Sequence, residues 1–199
     1  MSKIRLTKNE LNAQKGRLTL YERYLPALDL KKKHLQKEVI RVGSEIAAKE
    51  KELNDAMAEI SPWVGLLNEE VELEEIIEIK NIITEGDNIA GVDIPKFVKA
   101  DVTDVKYDLY STPLWLDTAL ALIKKMLTLR TEIRVLKEQH KRLSAELLIT
   151  SQRVNLFEKV KIPSSKHIIK RISIHLGDQQ IAAVGWGRMA KKKIMESKR

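Results

Sequence analysis

The chain has 199 residues, a formal net charge of +8, 32% charged and 5% aromatic side chains, 8 Gly, 5 Pro and no Cys. Without cysteine there is neither a disulfide nor thiolate chemistry. No apolar run nears the roughly 20 residues of a membrane-spanning helix, and the opening MSKIRLTKNE lacks the apolar core of a signal peptide, so a soluble, cytoplasmic chain built from long exposed helices is expected.

The charge is uneven. Residues 1–33 hold nine Lys/Arg against three Asp/Glu, and residues 183–199 hold six against one, so two basic ends flank a slightly acidic middle. Such ends either serve solubility alone or meet one acidic surface together.

Thr7 and Glu10 form a T-x-x-E capping box ahead of an apolar repeat. One set, seven residues apart, is Leu11, Leu18, Leu25, Lys32, Val39, Ile46, Leu53 and Ile60. The set three residues on is Gln14, Tyr21, Leu28, Leu35, Val42, Lys49 and Ala56. Twelve of these fifteen are apolar, which predicts a helix from about Lys8 to Ile60, roughly 80 Å long at about 1.5 Å per residue. Pro26 inside it is expected to remove a backbone bond and bend it locally. Lys32 and Lys49 interrupt the seam with stems that can pack and ammonium groups that reach its edge.

Ser61-Pro62 reads as a break. Ile77, Ile79 and Ile83 then alternate with charged residues, Glu85-Gly86-Asp87-Asn88 is turn chemistry, and Ile89 to Ile94 is β-prone up to Pro95. The expectation is a β-hairpin over about 76–95 within a connecting cap of 61–111, with residues 96–111 as loop. Thr112-Pro113 supplies an N-cap and a first-turn proline, and Asp117 suits the helix dipole there.

A second long stripe follows. Alternating steps of four and three give Leu122, Met126, Leu129, Ile133, Leu136, His140, Leu143, Leu147, Thr150, Val154 and Phe157, extendable upstream through Trp115 and Ala119. A repeat of seven held this long marks a seam of a left-handed coiled coil. Polar members such as His140 and Thr150 are suited to fixing register. Leu114, Leu116, Leu120, Ile123 and Leu127 make the first part apolar on more than one side, so the hairpin and its flanks are expected to cover it. Pro163 is expected to kink or interrupt the helix, after which Ile168, Ile169, Ile172 and Leu176 restart a stripe in a new phase. Gly177, Gly185 and Gly187 are expected to weaken the far end before the basic tail AKKKIMESKR.

The fold expected is therefore mostly α. It is a long antiparallel two-helix coiled coil, residues 1–60 with 112–199, and a small β-hairpin cap joins the helices. Antiparallel pairing brings both basic ends to one tip. If Ile60 faces Trp115, Leu35 lies near His140, Leu53 near Leu122, and the C-terminal segment projects past the N-terminus.

Chemistry is hard to find. His34, His140, His167 and His175 have no metal-building spacing. The glycines do not form a phosphate cradle, and the Glu69–Glu78 cluster reads as a solvated surface. No nucleic-acid recognition motif accompanies the basic ends. An enzyme would need a concentrated polar site that is not visible here. A free-standing basic coiled-coil adaptor or nucleic-acid-binding rod is the alternative class.

Three stretches carry a family likeness. Thr150-Ser151-Gln152-Arg153-Val154-Asn155, with Leu156-Phe157-Glu158-Lys159-Val160 and Ile162-Pro163, is similar to a T-x-R-R-V-N-A-L-E…IP segment, and Gln152 and Phe157 depart from its commonest residues. Asn88-Ile89-Ala90-Gly91-Val92 with Ile94-Pro95 resembles an N-x-x-G-V-x-x-P hairpin, and TKNELNAQKGRL resembles a T-K-x-E-L-x-x-L-K-x-x-L start. Together, and over nearly the whole chain, they resemble the D-subunit family of the V-type/A-type rotary ATPases. The ending GDQQIAAVGWGRMAKKKI replaces the charged-aromatic ending many members carry.

The resemblance implies a non-catalytic rotor shaft, with no catalytic residue, cofactor or metal of its own and no nucleic-acid partner. Its coil enters a hexamer of A and B subunits, where ATP is hydrolysed or made. It transmits torque from there to ion translocation through the membrane ring. A small F subunit lies along the coil, and a membrane-side connecting subunit meets the cap end. Lys3, Arg5, Lys8, Arg188, Lys191, Lys192 and Lys193 are then the expected hexamer contacts. Whether the coupled ion is H⁺ or Na⁺ is left open.

Overall fold

The computed structural model describes residues 5–61, 77–104 and 116–197. Its elements are helix α1 (Lys8–Ile60), strands β1 (Ile77–Ile89) and β2 (Val92–Asp104), helix α2 (Leu116–Leu156), a π-helical turn (Phe157–Lys161) and helix α3 (Ile162–Ser197). The chain divides into two compact units, residues 31–149 and residues 1–30 with 150–199. Pro62 of the expected Ser61-Pro62 break, the Glu69–Glu75 part of the acidic cluster, the Thr112-Pro113 cap, Leu114 and Trp115 lie outside the described residues, as does the cap boundary near 111.

In the unit of residues 31–149, α1 and α2 pair antiparallel. Lys31 Nζ meets Glu146 Oε1 at 2.8 Å, while further along α1 Lys49 Nζ meets Glu132 at 3.2 Å and Glu50 meets Lys137 Nζ at 2.7 Å. The seam between them is apolar. Leu35, Val42 and Leu143 are fully buried in one cluster with Leu136 and Ile94, and Val39, Ile46 and Leu147 pack against it. Each fully buried Leu removed from water is worth about 1.5–3 kcal/mol. Of the polar seam residues, Lys49 keeps its ammonium at the edge, as its length allows. A hydrogen bond to Glu132, reinforced by Glu52, holds that ammonium above the ordinary lysine range.

The pairing differs from the simplest estimate by about one helical turn. Leu35 clusters with Leu143, and the His140 ring lies against Gly43 instead. Ile60 shares a hollow with Ile123. Leu53, Met57, Met126, Leu127 and Arg130 complete that hollow of about 470 Å³.

The hairpin is longer than expected and turns elsewhere. Its strands pair from Ile77↔Asp104 to Ile89↔Val92, so Lys96 to Asp104 is strand, not loop. The turn is Ala90-Gly91, both at positive φ (54° and 79°), the conformation of a two-residue type I′ turn that follows strand twist. Asn88 holds it: its Oδ1 accepts from the Gly91 N–H at 3.0 Å and its Nδ2 donates to Asp93 at 2.6 Å. Glu85 to Asn88, turn-like in composition, is paired strand. Pro95 does not end β2, because it faces Gly86. Counting from the hydrogen-bonded closing pair Ile89–Val92, that is a non-hydrogen-bonded position, where the missing N–H costs no ladder bond.

The hairpin also lies along the flank of the helix pair. Gln139 Nε2 donates to the Pro95 carbonyl and Arg142 Nη1 to the Asp93 carbonyl, while Ile94 enters the seam cluster beside Ile89, Ala90 and Val92. Gln139 is buried there, in a second buried stripe on α2 with Thr131 and Val135.

In the other unit, α1 runs unbroken through Pro26, which is exposed, so the carbonyl it leaves without a helical partner can be hydrated. Pro163 likewise does not interrupt the second long helix. The π-turn precedes it, with the Ile162 N–H donating to the Phe157 carbonyl, one residue further back than in an α-helix. The extra residue rotates the buried stripe from Thr150 and Val154 to Ser165 and Ile172, and Ile168, Ile169 and Leu176 are half-buried beside them. Tyr21 and Phe157 rings stand 5.2 Å apart, and Glu22 meets Lys166 at 3.2 Å. Gly177, Gly185 and Gly187 are all helical.

Candidate functional site

Every seam position read from the heptads is buried or half-buried: Leu11, Leu18, Leu25, Leu28, Leu35, Val39, Val42, Ile46 and Leu53 on α1, and Leu122, Met126, Leu129, Ile133, Leu136, Leu143, Leu147, Val154 and Phe157 on the second helical run. These residues position whatever the exposed ends do.

The unit holding both chain ends begins its helix at Thr7. The Thr7 Oγ1 accepts from the Glu10 N–H at 3.3 Å, and its carbonyl accepts from Leu11 N–H at 3.0 Å. Only half of the capping box forms, because the Glu10 carboxylate takes the amide of buried Gln14 at 2.9 Å instead. The first turn of α1 then meets α3: Lys8 and Leu11 line an open hollow of about 460 Å³ with Leu176, Gln180 and Ala183.

Beyond Ala183, α3 continues to Ser197 with every residue exposed except Gly185. On that stretch stand Arg188, Lys191, Lys192 and Lys193, with Ile181 just before it. Lys192 makes a loose 3.9 Å pair with Glu196. Apolar side chains are exposed among the cations: Ile181 at 74%, Trp186 at 70%, and Val184, Met189, Ile194 and Met195. Spaced at about 100° per residue, these six fall on several sides of the helix, unlike the single stripe of a surface helix.

Of the expected contact residues, Lys3 lies outside the described residues. Arg5 and Lys8 are exposed at the start of α1. They do not share a level with Lys192, which sits about 14 Å along the helix from Ala183 at ~1.5 Å per residue. The cations therefore form a graded series along one end of this unit, not a single cluster. Of the exposed apolar residues between them, Ile181, Val184 and Met189 were missed in the sequence, because they follow no helical period. Trp186 beside Arg188 was the available signal.

Among the described residues no three His, Cys, Asp or Glu side chains are placed to hold a metal ion. No helix among them is long and apolar enough to cross a membrane. The hollows along α3 are open surface.

One unit pairs long helices antiparallel against a β-hairpin, and the other carries a basic helix past the end of its partner. These features define the class: a mostly helical, antiparallel coiled-coil protein with a β-hairpin between its long helices. The family model for the D subunit of ATP synthase matches residues 10–192. The V-type ATP synthase D subunit of Borreliella burgdorferi is 43% identical over 199 residues, covering 100% of this chain and 98% of that protein. Those of Chlamydia pneumoniae and Chlamydia trachomatis serovar L2 are 38% and 36% identical, covering 96% and 99% of this chain and 93% and 98% of theirs. The chain belongs to the ATP synthase D-subunit family.

Proposed function

We propose that this chain is the central-stalk shaft of a V/A-type rotary ATPase. It transmits torque between nucleotide chemistry in an A/B hexamer and ion movement through a membrane ring. It is non-catalytic, works in the cytoplasm at the membrane's edge, and binds the small F subunit along the coil and a membrane-side connecting subunit elsewhere. Family membership supports the complex. The observation that carries the role is the end of α3, a single helix past its partner, with cations and exposed apolar side chains on several sides.

A helix apolar on many sides is stable in water only if something encloses it. A ring of subunits does so from all directions, whereas a one-sided docking partner does not. Two helices with unlike outer faces present a different profile to each catalytic interface. That asymmetry lets rotation drive the interfaces through different states. The contacts must also break at every step, which suits exposed ion pairs worth only about 0–1 kcal/mol each and screened by salt.

Reversing Lys191, Lys192 and Lys193 to Glu is the test. Titrated against preformed A/B hexamer, the variant is expected to bind more weakly at low salt, with the difference shrinking at high salt and helix content unchanged. Equal affinity at low salt would show that the basic end serves solubility alone.

A further inference from the structure

The apolar seam alone does not fix how far α1 sits along α2. Leu35 and Val42 are seven residues apart, as are Leu136 and Leu143 in the same buried cluster. Sliding one helix by a heptad, about 10 Å, again sets apolar residues on apolar residues. Packed elements do step past one another in this way.

Charge opposes the step. If Lys31 moves from Glu146 to the level of Gln139, Lys49 moves from Glu132 to Lys125. The opposite step sets Lys31 against Arg153 and Glu38 against Glu146. Either way like charges meet across the helices, and the Lys31–Glu146 pair is lost. That pair is partly buried, at 2.8 Å.

Lys31 also meets the hairpin. Its Nζ lies 4.0 Å from where a Cβ at Gly91 would stand, so the ion pair sits beside the turn. The turn cannot follow α1, because its strand is tied to α2. Gln139, Arg142 and Glu146 follow at steps of three and four on one face of α2. Gln139 donates to the Pro95 carbonyl, Arg142 donates to the Asp93 carbonyl at 3.3 Å, and Glu146 takes Lys31. Asp93 and Pro95 pair with Asn88 and Gly86 at non-hydrogen-bonded positions, so their carbonyls point out of the hairpin towards these donors. Ile94 between them is buried in the seam cluster, and Ala90 and Val92 pack beside it. The hairpin is thus an arm fixed to α2, with its turn against a side chain of α1.

We infer that Lys31 is a register latch. Its ammonium is held by Glu146 beside the turn at Gly91, and an axial step of α1 has to withdraw it from both. The latch lets torque pass along the coil without one helix sliding on the other. Only the load on the coil is taken from the proposed function; the latch itself is a property of the isolated chain.

The chain has no cysteine, so introduced disulfides can read the register of the purified full chain. Glu50→Cys with Lys137→Cys reports the native register, where these side chains meet at 2.7 Å. Glu50→Cys with Arg130→Cys, and Glu50→Cys with Ser144→Cys, report the two heptad steps. Without further change only the native pair is expected to close readily. Lys31→Met keeps the apolar stem and removes the charge. It is expected to speed closure of a stepped pair about 10-fold, the effect of losing a partly buried, charged hydrogen bond. Lys31→Arg keeps the charge and is expected to match the parent, as is Lys33→Met, which removes an exposed cation two residues on. A lower melting temperature in Lys31→Met without stepped closure would show that Lys31 adds stability alone and would overturn the latch. Equal stepped closure in Lys33→Met would overturn it too. In the assembled ATPase, Lys31→Met is expected to lower ion transport per ATP hydrolysed, and the Glu50→Cys/Lys137→Cys disulfide to restore it; an unchanged ratio would overturn the load-bearing role. Failure of the hexamer titration with the Lys191–Lys193 variant refutes the shaft reading and leaves the stepped-closure result standing.

Discussion

Leu143 is where the two long helices and the hairpin are locked together. It is fully buried, in one cluster with Leu35, Val42, Leu136 and Ile94, drawn from α1, α2 and β2. Leu143→Ala removes three carbons from a site closed on three elements. Leu-to-Ala substitutions in rigid cores cost about 2–5 kcal/mol, depending on how far the cavity collapses. With fully buried Leu35 and Val42 as neighbours, collapse is restricted, and a loss of about 3 kcal/mol is expected. For a chain of this size that lowers the melting temperature by about 6–12 °C. Leu148→Ala makes the same chemical change five residues on, where the side chain is 60% exposed, and is expected to stay within about 0.5 kcal/mol of the parent. Circular dichroism at 222 nm through a urea titration reads both variants. Equal losses would show that Leu143 is not at the seam, and the register drawn through Leu35 and Leu143 would be wrong.

The hairpin turn gives a second test. Ala90 stands at φ 54°, a conformation Asn tolerates better than Ala, so Ala90→Asn is expected to stabilise the fold by about 0.5 kcal/mol, read by thermal melting. Gly91→Ala at φ 79° is expected to destabilise it in the same assay. Gly16 and Gly177 are helical, with no atom within 4 Å of where an added methyl group would stand; replacing each by Ala is expected to gain about 0.5–1 kcal/mol through helix propensity, and no gain in either would mean these segments are not stably helical. The Glu138 carboxyl is held below its ordinary range by Arg142. Its contribution to stability is therefore complete above the unfolded-state value and is lost as pH falls through the lower folded-state value. Side-chain carboxyl NMR is expected to show a midpoint below that of a free glutamate, returning to ordinary in Arg142→Met.

What the sequence made legible was the part governed by one repeated force. The seam needs an apolar residue every three or four positions for many turns, and Leu, Ile and Val at those positions reveal it without reference to any partner. The second buried stripe on α2, Thr131, Val135 and Gln139, obeys a different rule. Its Gln139 meets a strand whose carbonyls need donors and is buried with Pro95 offering it an acceptor, whereas a hydropathy pattern reads it as exposed. The turn was misplaced for a related reason. Glu85 to Asn88 has turn composition, but Asn88 serves the turn from outside it by holding Gly91 and Asp93. From local propensity Pro163 was expected to kink or interrupt the helix and the three late glycines to weaken its end; a π-turn precedes the first without interrupting the helical run, and the helix continues through the others. The exposed apolar side chains at the end of α3 have no period at all. Under the proposed shaft role, side chains enclosed by a partner leave no pattern in their own helix, only exposure, and Trp186 at 70% exposed is the residue on which that proposal leans most.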